Sequence, residues 1–259
     1  MTDRGDPGLL FACDVGNSRV ALAMVEAGRI ARVVHVPIGA LGGLADTLAL
    51  DPSAQRPGDA PIIASSVNPA AATELQAVLQ KVSSGPFLLA RTDFPIPIAA
   101  AVDAPDRVGA DRLLAALAAY RETSAATIVV DVGTAITVDS VDAAGRFLGG
   151  AILPGPTLAA RSLHRYTAAL PEVTFLPGAA VPESVGRNTE AAIRAGIVLG
   201  AAGAIERLVA EQRRILGPRT PVVATGGGLD ILRAALSIID IVRPNLVLEG
   251  LVAAYRSRP

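Results

Sequence analysis

Apolar and polar positions along this chain trace one pattern twice. Between residues 128 and 155 the sequence reads IVVDVGTAITVDSVDAAGRFLGGAILPG. A β-branched run delivers Asp131 and turns at Gly133-Thr134; an alternating segment runs back, Ala144-Gly145-Arg146 reverses it, and a third apolar segment ends in a Gly/Pro bend. Val, Ile and Thr punctuated by glycine predict a three-stranded meander. The same pattern stands at 11–34, FACDVGNSRVALAMVEAGRIARVV. There Asp14-Val15-Gly16 matches Asp131-Val132-Gly133, and Ala27-Gly28-Arg29 matches Ala144-Gly145-Arg146 at the same offset. The repetition predicts a duplicated domain in which each half supplies one acidic turn.

In chain order, strands are predicted at 9–13, 20–25 and 30–36, a short helix at 41–50, and a Pro/Gly/Ser surface loop at 51–59. A strand at 61–66 follows, then a helix capped by Asn68 and running to about Lys81, and a strand at 87–89. Residues 91–107 carry three prolines and little periodicity, which predicts an extended surface segment leading into a helix at 113–121. The domain boundary is expected near 122–126, giving domains 1–122 and 123–259. The second half continues with a helix at 157–165, an irregular stretch at 167–187, and a long helix from Asn188 or Thr189 to Leu216. Gly196, Gly200 and Gly203 form a small-residue stripe on that helix, suited either to internal packing or to a dimer contact. A strand at 221–224, a tight turn at Gly226-Gly227-Gly228, a helix at 229–237 and a helix at 246–255 with Glu249 and Arg256 exposed complete the chain. Meander strands followed by alternating helices and strands predict an α/β fold.

Composition narrows the classes. At 259 residues, 51% apolar and 3% aromatic, the chain suits close-packed helices on sheets rather than disorder. A net charge of −1 gives no footprint for nucleic acid or an anionic membrane, so neither partner is expected. Cys13, the sole cysteine, excludes an internal disulfide and reads as a buried strand residue beside Asp14. The N-terminus lacks the apolar run of a signal peptide, and the apolar run around 195–205 is too short to span a bilayer. A soluble cytoplasmic protein is expected.

The acidic turns are the first candidates for chemistry. A strand ending in Asp-X-Gly presents a carboxylate followed by backbone N–H groups that a phosphate can approach, because Gly16 and Gly133 carry no Cβ. Asn17, Ser18 and Thr134 add short polar donors, and Asp14 and Asp131 can hold a cation that offsets phosphate charge. Thr225-Gly226-Gly227-Gly228 adds a third glycine-rich turn after a strand. The second constellation is Gly109-Ala110-Asp111-Arg112 at a helix start, where an aspartate could accept a hydroxyl proton and an arginine could bind a carboxylate. There is no GxxxxGK[ST] P-loop, and no GxGxxG follows the first strand. His35 and His164 lie outside these motifs.

Two acidic phosphate turns and a glycine-rich loop resemble the actin/sugar-kinase/Hsp70 ATPase superfamily, which implies two duplicated actin-like (RNase H-like) domains with a nucleotide cleft between them. More specifically, DVGNSR, GADR, DVGTAITVD, GGAILPG, TAALP, RNTEAAIRAG, ATGG and PNLVLEGL resemble type III pantothenate kinases, in the family's order across nearly the whole chain. The resemblance implies ATP-dependent phosphorylation of pantothenate, the first step of coenzyme A synthesis, by a homodimer needing Mg²⁺ and a monovalent cation, K⁺ or NH₄⁺. It implies an ATP phosphate loop at Asp14, Val15, Gly16, Asn17, Ser18, Arg19, Val20 and Ala21, with Thr134 also contacting ATP. It implies pantothenate binding by Gly109, Ala110, Asp111 and Arg112, with Asp111 as general base and Thr189 reaching the substrate from the partner subunit. Asp131 would hold the monovalent cation.

Two positions depart from the family. A tyrosine usual a few residues before GxDR is absent around Val102, and Ser18 stands where threonine is usual. The first leaves open a kinase of another small hydroxylated acid. A non-catalytic regulatory homologue is the alternative from another class; intact Asp14, Asp111, Arg112, Asp131 and Thr134 argue against it.

Overall fold

The structure is a computed structural model that describes residues 8–44 and 58–258. It divides into two compact units: Met1–Ile98 with Asp106–Ala118 and Leu246–Pro259, and Ala99–Pro105 with Ala119–Asn245.

The first unit is built on a sheet of order β3-β2-β1-β4-β5. Its centre is β1, Leu9–Val15, covered on both faces, which is why its sequence is a nearly continuous apolar run. Strands β2 (Arg19–Glu26) and β3 (Arg29–Pro37) continue antiparallel, and β4 (Ile62–Ser66) and β5 (Phe87–Leu89) run parallel on the other side. The reversal between β2 and β3 uses Ala27 at φ 45° and Gly28 at φ 80°. Helix α1, Pro69–Leu79, joins β4 to β5, and the Asn68 side chain caps it by accepting from Ala71 N at 3.2 Å, as the sequence predicts. Leu75 and Leu79 pack with Phe11, Cys13 and Val15 to form the core.

The second unit repeats this plan. Its sheet has the order β10-β9-β6-β7-β8, which from the other edge reads β8-β7-β6-β9-β10, matching the first sheet strand for strand. The central strand is β6 (Thr127–Val132), followed antiparallel by β7 (Ala135–Val141) and β8 (Phe147–Pro154). Strands β9 (Val222–Thr225) and β10 (Ile241–Val242) run parallel beside it. Gly145, at φ 75°, turns the hairpin where Gly28 turns the first. The duplication expected from the sequence is therefore present in the topology.

Helix α2 spans Ala110–Thr123, three residues earlier than periodicity alone suggests, so the Gly109–Arg112 segment enters its first turn. Helix α3 is Pro156–Arg165. Helix α4, Thr189–Leu216, is capped by Asn188, which accepts from Ala191 N at 2.8 Å. It packs Val198, Ile205 and Val209 against Ile128, Val130, Ile136 and Val138.

The structure departs from the expectations at several points. Helix 229–237 is only α5, Leu229–Leu232, continued by a 3-10 turn at Arg233–Ala235 before Leu236 becomes extended. Strand β10 was not anticipated. Of the helix expected at 41–50, residues 41–43 close a 3-10 helix, Ile38–Gly43, and Leu44 is helical, while 45–50 and most of the 51–59 loop lie outside the described residues. Helix α6, Leu246–Arg256, belongs with the first unit rather than with 123–259, packing on β1 and β4. A Cβ at Gly250 would strike the Leu114 backbone, so this glycine lets α6 approach α2 closely. Packing there also leaves Glu249 half-buried, whereas Arg256 is exposed. No helix among the described residues is long and apolar enough to cross a membrane.

Candidate functional site

In the first unit, β1 delivers Asp14 half-buried at its end, and the chain turns immediately. Gly16 N donates to Arg19 O at 3.1 Å, and Ile38 N donates to Ser18 O at 3.1 Å, which shapes the turn. Asn17, Ser18 and Arg19 are exposed, and Ala21 is half-buried. Val15 and Val20 are fully buried, so within 14–21 those two side chains serve the core and only their main chain could meet a ligand.

Two other elements converge on Asp14. Strand β4 places Ser65 in register with it, and the Ser65 hydroxyl donates to Asp14 Oδ1 at 3.0 Å. The first turn of α2 supplies Asp111, whose Oδ1 accepts from Arg112 N at 2.8 Å. Gly109 leaves room beside it: a Cβ there would meet that same carboxylate oxygen, and the Asp111 side chain would have to move. Burial pushes the Asp14 carboxyl up to about 6, and the Asp111 charge pushes the same way; the Ser65 hydrogen bond and Arg19 oppose them. Burial also raises Asp111, opposed by the Arg112 amide and guanidinium. A pair of carboxyls that suffers from desolvation and like charge gains from a cation placed between their oxygens and a phosphate. Beside them, Cys13 is buried and its thiol is pushed far up by burial and then by Asp14, which makes it inert.

In the second unit Asp131 ends β6 half-buried, and Thr134 is exposed in the turn that follows. Gly133 N donates to Ala135 O at 2.9 Å, and Gly155 N to Thr134 O at 2.9 Å. The Gly226-Gly227-Gly228 turn folds onto this point: Gly228 N donates to Val132 O at 2.8 Å. Gly226 has φ 97°, and a Cβ on it would strike both Asp131 Oδ1 and Val132 O. Sheet register lines up Thr225, Asp131 and Thr137 across three strands. Asp131 thus has two hydroxyl-bearing residues beside it in the sheet, and its carboxylate is the group here that could hold a cation. Among the described residues no group of three His, Cys, Asp or Glu side chains could hold a metal ion by itself. A magnesium ion here would therefore be held by one or two carboxylates together with phosphate oxygens, as is usual for that ion.

Thr189 opens α4, exposed, in the second unit, while Gly109–Arg112 lie in the first. Val102 is half-buried and faces Gly149, where a Cβ would come within 3.4 Å of its Cγ1. Gly196, Gly200 and Gly203 are exposed on α4 with open space where a Cβ would stand, so the stripe does not serve internal packing. Sequence reasoning missed Ser65 and Arg91; the Arg91 guanidinium donates to the Val108 carbonyl just before Gly109. A serine pair ending the strand that pairs with β1 was the available signal for Ser65; for Arg91 there was none. A cavity of about 430 Å³ beside α4 and α5, lined by Phe175, Leu176, Arg194, Val198 and Ile231 among others, contains none of the predicted site residues.

Two sheets of matching order, each with an acidic turn after its central strand, define the actin-like ATPase and sugar-kinase fold. Solved structures agree. One described as a Baf family transcriptional activator from Campylobacter jejuni superposes with a TM-score of 0.61 at 19% identity, covering 95% of this chain and 98% of that one. Component A of the (R)-2-hydroxyglutaryl-CoA dehydratase from Acidaminococcus fermentans superposes at 0.52 with 14% identity, covering 95% of each chain. Sequence comparison is more specific. The family model for type III pantothenate kinase matches residues 10–211. Type III pantothenate kinases from Dehalococcoides mccartyi and Rhodospirillum rubrum are 33% and 34% identical, over 95% and 96% of this chain and 97% and 98% of their own length. The chain belongs to the type III pantothenate kinase family.

Proposed function

We propose that this protein transfers the γ-phosphoryl group of ATP to the primary hydroxyl of pantothenate, giving 4'-phosphopantothenate. The observation that carries the reading is Asp111 with Arg112 in the first turn of α2, electrostatically linked to Asp14 in a member of this family. Asp111 accepts the hydroxyl proton as the acceptor oxygen attacks in line, and Arg112 pairs with the substrate carboxylate; Gly109 and Ala110 supply backbone at the same place. The main chain of 14–21 cradles the phosphates, with Asn17 and Ser18 adding polar donors and Thr134 contacting ATP from the second unit. Asp14 would hold a Mg²⁺ ion, which would supply positive charge to offset that on the transferring phosphate. Positioning and charge compensation supply most of the rate in such a transfer.

Asp131 would hold a monovalent cation, K⁺ or NH₄⁺, which would supply further positive charge beside the phosphates. The protein works as a cytoplasmic homodimer in which Thr189 reaches the partner's substrate; the exposed stripe at Gly196, Gly200 and Gly203 supports this reading. The test is ADP release with MgATP and pantothenate, in K⁺ and then in Na⁺, alongside sedimentation of the protein. Turnover that requires both pantothenate and K⁺ supports the substrate and the role of Asp131. Turnover indifferent to the cation unseats Asp131 alone. A folded, ATP-binding protein with no turnover overturns the substrate, and a monomer at working concentrations overturns the role of Thr189.

A further inference from the structure

We propose that Arg91 is a positioning residue for the substrate-binding turn, clamping the Val108 carbonyl so that Gly109–Arg112 hold their geometry. Arg91 stands at φ 71°, a left-handed conformation rare for a side chain of its size. The turn around it is tightly anchored. Ala90 N donates to Ala64 O at 2.8 Å, which extends the sheet, and Arg91 N donates to Phe94 O at 2.7 Å. Asp93 N donates to Leu89 O at 2.8 Å, while the Asp93 carboxylate accepts from Leu89 N at 2.7 Å. Phe94 is buried and meets Tyr255 of α6 edge-on, with ring centroids 5.6 Å apart. The strained backbone is thus fixed on the sheet and on α6.

What the Arg91 guanidinium reaches is the Val108 carbonyl, to which Nη1 donates. Asp106, 3.9 Å from Nη2 and fully solvated, adds little by itself. Upstream of Val108 the chain is bridged to β8 at Ala99–Ala101, through Ala101 N to Phe147 O and Phe147 N to Ala99 O, each at 2.8 Å; between that bridge and α2 the only regular element among the described residues is a 3-10 turn, Pro105–Arg107. Immediately downstream, Gly109 O accepts from Leu113 N at 3.3 Å and the Asp111 carboxylate from Arg112 N at 2.8 Å, so the first turn of α2 is built directly on the peptide that follows Val108. A shift at Val108 therefore passes along the main chain into Gly109 and Asp111. The clamp acts through the main chain and touches neither substrate.

The kinetic consequence rests on the pantothenate reading; the structural one does not. Arg91→Gly suits the left-handed backbone and removes the side chain whole, the guanidinium with it. Amide hydrogen exchange in the Arg91→Gly protein is expected to speed up about tenfold or more at 109–112, with 14–21 and the β-sheet unchanged, as fits loss of a charge-assisted hydrogen bond. In turnover assays the KM for pantothenate is expected to rise about tenfold, with the KM for ATP unchanged and added guanidinium ion restoring part of the loss. If Arg91→Gly does not fold, Arg91→Asn, which also tolerates this backbone and cannot span to Val108, carries the same expectations. Wild-type exchange at 109–112, or an equal rise throughout the first unit, overturns the clamp. Faster exchange with an unchanged KM for pantothenate overturns the positioning role. A wild-type protein that does not phosphorylate pantothenate overturns the proposed function, and the exchange measurement still decides the clamp.

Discussion

Ser65 donates its hydroxyl to Asp14 Oδ1 at 3.0 Å from a neighbouring parallel strand, in direct register. The second unit has the matching pair, Thr225 in register with Asp131, but there the threonine hydroxyl lies 3.4 Å from Pro244 O. The same register is thus used in two ways. In the first unit one carboxylate oxygen accepts the serine hydroxyl, while in the second a glycine turn closes over the acid.

Replacing Ser65 with alanine removes that hydrogen bond from a nearly fully buried position. The Ser65→Ala protein is expected to lose about 1 kcal/mol of stability and to show a KM for MgATP raised several-fold, about 3- to 10-fold. The KM for pantothenate should stay put. Denaturant melts and steady-state kinetics with each substrate varied check the split.

Asp111→Asn keeps the shape of the first turn of α2 and removes the proton acceptor. Its kcat is expected to fall about 100-fold or more, with the KM for pantothenate little changed. Wild-type turnover by a folded Asp111→Asn protein removes Asp111 from the role of base.

The pH dependence has a definite sign. The folded state raises Asp14 from its ordinary value near 3.8 to about 6, so between those values the folded protein binds more protons than the unfolded chain. Stability without ligands is therefore expected to fall as pH rises through that window, and Asp14→Asn should flatten this dependence and raise the melting temperature at pH 7. Turnover runs the other way. Asp14 and Asp111 must both be ionised to hold a cation and accept a proton, so kcat/KM should drop as pH falls below about 6. Thermal melts and rate profiles across pH 4–8 test both halves.

Gly226→Ala adds a Cβ at φ 97° against the Asp131 carboxylate and the Val132 carbonyl. The strain alone costs about 1–3 kcal/mol. Because the added carbon meets Asp131, the K⁺ concentration giving half-maximal activity is expected to rise. A urea melt and a K⁺ titration measure the two effects, and an unchanged K⁺ titration separates Asp131 from the cation.

Much of the fold is determined locally and was legible in the sequence. Strand alternation, the Gly28 and Gly145 hairpins, and the Asn68 and Asn188 caps each depend on residues a few positions apart, so the duplicated meander and the main helices follow from sequence alone. The same holds for the acidic turns, whose chemistry sits in consecutive residues. What the tertiary structure decided depends on pairs far apart in the chain. Helix α6 joins the first unit because Gly250 admits the Leu114 backbone, and no periodicity in 246–256 encodes that partner. Ser65 lies 51 residues from Asp14 and Arg91 lies 17 from Val108, each brought to its acceptor only by sheet register or by an anchored turn. The sequence by itself named the candidate groups for the chemistry. Their burial, and with it the raised carboxyl of Asp14, came from packing, because desolvation belongs to the neighbours a residue acquires on folding.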